Sequence, residues 1–129
     1  LKIIKVRSAE MANAGKNSPG TMAVILGADD HQLKLICKQD GVVVPANINA
    51  PRQIVISGEL KAIDNAINTA KEIGVKRAIR LTVSGAFHSS LMSPARQPLL
   101  EIMNSITFND ANIPIFQNVS ALRWGPILR

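Results

Sequence analysis

Residues 20–83 of this chain predict a β-α-β-β-α-β unit, and with it a mixed α/β protein. Three observations carry that expectation. Short apolar runs rich in strand formers recur at residues 21–26, 42–44, 53–57 and 75–83. Two of the gaps between them have helical spacing: Leu33, Ile36 and Cys37 in one, Leu60, Ile63, Ile67 and Ala70 in the other. Turn-forming residues punctuate the joints. That order is the split βαβ order of a ferredoxin-like unit.

Taken from the start, Ile3, Ile4, Arg7, Glu10 and Met11 are spaced by three and four, so residues 1–14 read as a helix. No capping residue precedes it, and the expectation is a piece of a longer chain. Asn17-Ser18-Pro19-Gly20 reads as a turn, and residues 21–26 as the first strand. Asp29 followed three residues later by Gln32 is a capping box, and Gly41 is the expected stop of that helix. After the strand at 42–44, Asn47, Asn49 and Pro51 read as a polar, turn-prone connection to the strand at 53–57. The helix at 60–73 places Lys61, Asp64, Asn68, Lys71 and Glu72 away from its apolar stripe and ends at Gly74. The strand at 75–83 has Ala78, Leu81 and Val83 among its apolar positions. Residues 84–90, Ser-Gly-Ala-Phe-His-Ser-Ser, form a loop of small residues around one ring and one imidazole. Residues 91–106 read as a helix with Leu91, Ala95, Leu99, Met103 and Ile106 inward. Pro94 suits a first turn, whereas Pro98 removes a backbone donor and should kink or delay the helix. Residues 113–119 are the last apolar strand, and no element is recognisable at 124–129.

Composition narrows the function classes. The chain has 129 residues, 47% hydrophobic and 19% charged, which is a globular composition. Its longest uncharged apolar stretch, residues 22–28, is far short of the roughly 20 residues that cross a bilayer, and no signal-peptide pattern opens the chain. The single Cys37 excludes an internal disulfide, and two distant histidines exclude a zinc-finger pattern. A cytosolic protein without a metal centre or membrane anchor is the expectation. The net charge of +6 attracts phosphates, acidic proteins or anionic surfaces alike. An RNA-recognition module shares the β-α-β-β-α-β order, but such modules stack bases on aromatics of the two central strands. Residues 21–26 and 53–57 contain no aromatic, so nucleic acid is not the expected partner.

For proton transfer the candidate is His88, placed between a strand and a helix. An imidazole titrates near neutrality and can take a proton from a nucleophile and return it. A loop histidine capping the next helix fits the same position. A nucleophile elbow of the form G-x-S-x-G is absent from the 129 residues, and neither Ser84, Ser89 nor Ser90 lies in one. Cys37 lies on the apolar face of its helix and reads as an inert thiol.

Two long segments resemble a known family. Val42-Val43-Val44-Pro45-Ala46-Asn47-Ile48-Asn49-Ala50-Pro51-Arg52-Gln53-Ile54-Val55-Ile56-Ser57-Gly58 resembles the VVPANxNSPGQxVISG segment of malonyl-CoA:acyl carrier protein transacylases. Val83-Ser84-Gly85-Ala86-Phe87-His88-Ser89-Ser90-Leu91-Met92 is similar to their VSxxFHSxLM motif, and residues 76–81 and 113–121 resemble the KRAxxL and IPVxxNVxA segments. The resemblance covers about residues 1–122. Arg52 stands where the motif commonly has glycine, and Ala86 where it often has proline.

The resemblance implies an α/β-hydrolase-like core with a ferredoxin-like insert: residues 20–83 would be the insert, with 1–19 and 84–129 as core pieces. It implies that His88 is the catalytic histidine, deprotonating a serine that attacks the malonyl thioester and protonating the departing coenzyme A thiol. Malonyl would then pass from that serine to the phosphopantetheine thiol of acyl carrier protein, without metal or prosthetic group. It implies that Arg7, aligned with the arginine of an (L/M)RGxxM segment, holds the malonyl carboxylate through two parallel N–H donors. Phe87 would crowd an α-methyl group and so favour malonyl; as a packing aromatic it would do neither. Asn47 and Asn49 would line the cleft, or alternatively close an Asx-type turn. The serine elbow falls outside these residues, so the chain alone is expected to be inactive. A polyketide-assembly acyltransferase is the alternative within the class. Lys76, Arg77 and Arg80 lie near the fourth strand and Arg96 on the next helix; they would suit docking of an acidic carrier protein, or be an ordinary solvated charged face.

Overall fold

The computed structural model describes residues 1–117 and the backbone of residues 123–124. The chain opens with α1 (Lys2–Asn17). This helix runs three residues beyond the expected end and takes in Asn17. The amide of Ser18 still bonds back to the Ala14 carbonyl at 2.9 Å, and Pro19 then bars further helix.

Next come β1 (Gly20–Leu26), α2 (Asp30–Cys37), β2 (Val43–Ala50), β3 (Gln53–Glu59), α3 (Leu60–Glu72) and β4 (Arg77–Arg80). The capping box of α2 forms in both directions. Asp29 Oδ1 accepts from the Gln32 amide at 2.8 Å, and Gln32 Oε1 accepts from the Asp29 amide at 3.0 Å. The four strands make one sheet in the order β2-β3-β1-β4, every neighbouring pair antiparallel. Strand alternation sorts the residues by face. Ala23, Ile25, Ile54 and Ile56 point to the helices and form a core with Ile36 of α2 and Ala62, Ile63, Ala66 and Ala70 of α3. Met22, Val24, Val55 and Ser57 point the other way, with Met22 directly across from Ser57.

Three expectations need correction here. Asn47 and Asn49 are not in a turn: β2 continues through both to Ala50, and the connection shrinks to Pro51-Arg52. Irregular pairing at Pro45/Asn47 and Ile48/Ala50 lets the strand absorb residues that read as breakers, and Pro45 is tolerated because β2 is a sheet edge. The buried stripe of α3 is Ala62, Ile63, Ala66 and Ala70. Ile67 packs at the edge of that core as expected, and Leu60, the first residue of the helix, is the expected member that is exposed. Finally, β4 is only four residues long. The Leu81 amide adds one more bond to the Met22 carbonyl at 2.8 Å, after which the chain leaves the sheet and Val83 is exposed.

Beyond the sheet, a 3-10 helix (Ser90–Ala95) contains Pro94 and runs into α4 (Arg96–Asn104). Pro98 falls in the first turn of α4, where a missing amide costs little, so the α-helix starts late. Ala95 is buried, but Met103, expected inward, is exposed. The last expected strand is reduced to β5 (Ile115–Phe116), paired antiparallel with β6 (Arg123–Trp124). Asn118 and Val119 lie outside the described residues.

Candidate active site

A cavity of about 510 Å³ opens between α1, the second face of the sheet and the 84–92 segment. Arg7 and Met11 come from α1, Met22 from β1, Asn47 from β2, and Phe87, His88 and Met92 from the loop and 3-10 helix. Each wall has a local reason. Arg7 and Met11 are four apart and share a helix face. Met22 is the alternate residue to the core-facing Ala23. Asn47 pairs with Val55, whose side of the sheet is the one that carries Met22 and Ser57.

Four of the five residues singled out in the sequence therefore meet: Arg7, Asn47, Phe87 and His88. Asn49 does not join them. It is exposed further along β2 and is not part of the cavity wall. The sequence reading missed the three methionines at 11, 22 and 92. Met11 and Met92 close the segments compared with (L/M)RGxxM and VSxxFHSxLM, which was a positional signal; for Met22 the only signal was that thioethers fill irregular apolar gaps.

His88 is exposed at the cavity wall and has φ of 62°. Left-handed backbone of this kind disfavours a side chain with a Cβ. Phe87 and His88 are the central residues of a turn. Next to it, Ser89 donates from Oγ to the Ala86 carbonyl at 2.6 Å and accepts from the Leu91 amide at 3.3 Å. The alternative role for the histidine, capping the following helix, belongs instead to Ser89.

Arg7 also borders an adjoining cavity of about 240 Å³, lined by Met11, Met92, Ala95, Arg96 and Leu99 as well. The site thus combines one exposed guanidinium, one imidazole, one amide and a soft apolar lining. Such a site can hold a small acyl group with an anionic end and move a proton at the other. A larger groove of about 640 Å³ runs between α2 and β2. It contains Cys37, and burial pushes that thiol from 9.0 up to about 11, so it stays protonated at neutral pH. Arg80, expected on an open basic surface, is paired with Asp64. No group of three or more metal-ligating side chains occurs among the described residues, and none of their helices is long and apolar enough to cross a membrane.

Comparison with known proteins adds the following. Residues 1–123 match the acyl transferase domain family. The malonyl CoA-acyl carrier protein transacylase of Staphylococcus aureus is 41% identical over 125 residues, covering 94% of this chain and 41% of the relative. The solved transacylase of Coxiella burnetii superposes with a TM-score of 0.82 at 34% identity, covering 97% of this chain and 40% of that one. A malonyl-transacylase solved in complex with a type II polyketide acyl-carrier protein superposes with a TM-score of 0.83 at 34% identity, over 97% and 41% of the two chains. The chain thus spans about two fifths of the length of the proteins it matches.

Proposed function

This chain belongs to the acyl transferase domain family, and we propose that it supplies the acid–base and carboxylate-binding half of a transacylase that moves malonyl from coenzyme A to acyl carrier protein in fatty acid synthesis. The observation that carries the proposal is the convergence of Arg7, Asn47, Phe87 and His88 on one cavity from three separate elements, α1, β2 and the 87–88 turn.

In this reading His88 takes the proton from a serine hydroxyl contributed by polypeptide outside these 129 residues. The serine oxygen attacks the thioester carbonyl. As the tetrahedral adduct collapses, the coenzyme A sulfur leaves and recovers that proton from the imidazolium. The second half runs in reverse, with the phosphopantetheine thiol giving its proton to His88 and taking the malonyl group. Arg7 holds the free carboxylate through paired N–H donors, a geometry that a lysine lacks. Phe87 narrows the cavity beside the acyl α-carbon, and Asn47 supplies a hydrogen-bonding amide to its wall. A thioester is already activated, so the chemistry calls for no metal or prosthetic group. Substrate and carrier are both water-borne, in accord with a cytoplasmic setting.

The same proposal covers the architecture. Residues 20–83 form the ferredoxin-like insert, and residues 1–19 and 84–129 are pieces of an α/β-hydrolase-like core. The sheet order β2-β3-β1-β4 supports the first part. The exposed Ile4, Phe108, Ile113 and Phe116 in the flanking segments support the second, as apolar side chains that a larger core would cover. The structural neighbour in complex with a polyketide acyl-carrier protein supports a polyketide carrier as a second reading, with the same chemistry at the site.

Comparative binding of malonyl-CoA and acetyl-CoA tests the proposal. The free carboxylate should give malonyl-CoA roughly tenfold tighter binding, a difference of about 1.4 kcal/mol for a charge-assisted contact. Arg7→Ala should abolish the difference and Arg7→Lys should restore only part of it. Equal binding of the two thioesters by the unaltered chain would overturn the reading.

A further inference from the structure

We infer that Ser89 is a positioning residue: its hydroxyl straps the turn that holds His88 in left-handed backbone and so aims the imidazole into the cavity. The inference rests on His88 as the base of the reading above.

The geometry runs as a chain of fixed points. Ala86 is wholly buried, and it abuts Gly20 so closely that a Cβ on Gly20 would lie 2.6 Å from the Ala86 Cβ. The Ala86 carbonyl is therefore anchored to the start of β1. On the far side, Leu91 opens the 3-10 helix, whose Ala95 is buried. Ser89 Oγ joins the two, donating to the Ala86 carbonyl at 2.6 Å and accepting the Leu91 amide at 3.3 Å. Its own carbonyl accepts the Met92 amide at 3.2 Å. Phe87 and His88 are the residues enclosed by this strap.

His88 would not hold a φ of 62° unaided, because its Cβ crowds the backbone there. Relaxing to the ordinary helical or extended region turns the Cα–Cβ bond about the N–Cα axis by roughly 120° or more. That rotation carries the ring off the cavity wall. Strain of this kind persists only where the surroundings over-determine it. A hydroxyl is the smallest group that can donate to one anchor and accept from the other at once.

Solution NMR on the 129-residue chain decides the matter, with His31 on α2 as an internal control. A positive φ gives a strong intraresidue amide-to-Hα NOE. In the unaltered chain His88 should show it and His31 should not. Ser89→Ala should lose that NOE and move the His88 ring resonances while the His31 resonances stay in place. Ser89→Thr keeps a hydroxyl and should keep both signals. Ser89→Cys, with a weaker donor, should give a graded loss, and it keeps the test decisive if the alanine variant fails to fold. Retention of the NOE and of the ring shifts in Ser89→Ala would overturn the inference, as would their full retention in Ser89→Cys or their loss in Ser89→Thr. None of these outcomes depends on thioester binding, so failure here is distinguishable from failure of the malonyl reading.

Discussion

The amide of Gly27 donates to the carbonyl of Arg52 across 2.8 Å, tying the β2–β3 turn to the end of β1. Arg52 meets that acceptor geometry with φ of 61°, a conformation that favours glycine. Arg52→Gly should therefore stabilise the chain. Relief of left-handed crowding is worth about 1–2 kcal/mol, and the greater freedom of glycine in the unfolded chain returns about 0.4–1 kcal/mol of it. The expected net gain is about 0.5–1 kcal/mol in urea unfolding. Arg52→Ala should give no such gain, because it removes the charge and keeps the Cβ. A gain of equal size in both variants would mean that charge, not backbone, sets the effect.

The same position shows how much of the fold was readable beforehand. Local signals survived well. The Asp29–Gln32 box, the Gly74 stop and the strand at β1 depend on neighbours in sequence, and each formed. Pro51 is in the expected turn, but Asn47 and Asn49 are strand instead, because they lie on an edge strand where irregular pairing costs little. Edge status is a property of the sheet, and no local pattern reports it. For the site, the motif segments point to Arg7, Asn47, Phe87 and His88 and contain Met11 and Met92, whereas Met22 enters only when β1 is folded together with α1 and the 84–92 segment. Asn49 stays off the site because it sits inside the second irregularity of β2, between Ile48 and Ala50, near the strand's exposed end.

Gly58 lies hard against the chain that enters β2. A Cβ there would sit 1.8 Å from the Val42 carbonyl oxygen, which also accepts the Glu59 amide at 2.9 Å. Backbone cannot yield as a flexible side chain can, so β2 must move away from β3. Gly58→Ala should cost about 3 kcal/mol, the upper end of overpacking. Since β2 carries Asn47 into the cavity wall, thioester binding should weaken together with stability. Urea unfolding measures the first effect and calorimetric titration the second. A loss under 1 kcal/mol would show that the strands have room to spare.

Cys37 predicts a distinctive response to alkaline pH. Burial pushes its thiol from 9.0 up to about 11, so at pH 8 only about one thiol in a thousand is ionised. Alkylation by iodoacetamide should rise roughly tenfold per pH unit from 8 to 10 and level only near 11. The sign of the stability effect follows from linkage. The folded state favours the neutral thiol, so this contribution is complete below pH 9 and is lost as pH rises toward 11. Lysines titrate in the same range, so the measurement is the difference between the unaltered chain and Cys37→Ala. Stability that falls equally in both would show that the thiol is not held neutral by the fold.

The last expectation concerns chemistry. The 129 residues contain a candidate base and a candidate carboxylate clamp but no G-x-S-x-G elbow to present a serine. A general base without its serine has only water to activate, and water leads to hydrolysis, not to transfer. Incubated with radiolabelled malonyl-CoA and acyl carrier protein, the chain should form neither a labelled acyl-protein nor malonyl-acyl carrier protein above the level of a His88→Ala variant. Hydrolysis of malonyl-CoA slightly above background, and lost in His88→Ala, would fit an unpartnered base. A burst of label equal to the protein present would contradict the division of labour proposed here. It would place a nucleophile within these residues, and alanine substitution of Ser84, Ser89 and Ser90 in turn would identify which hydroxyl His88 serves.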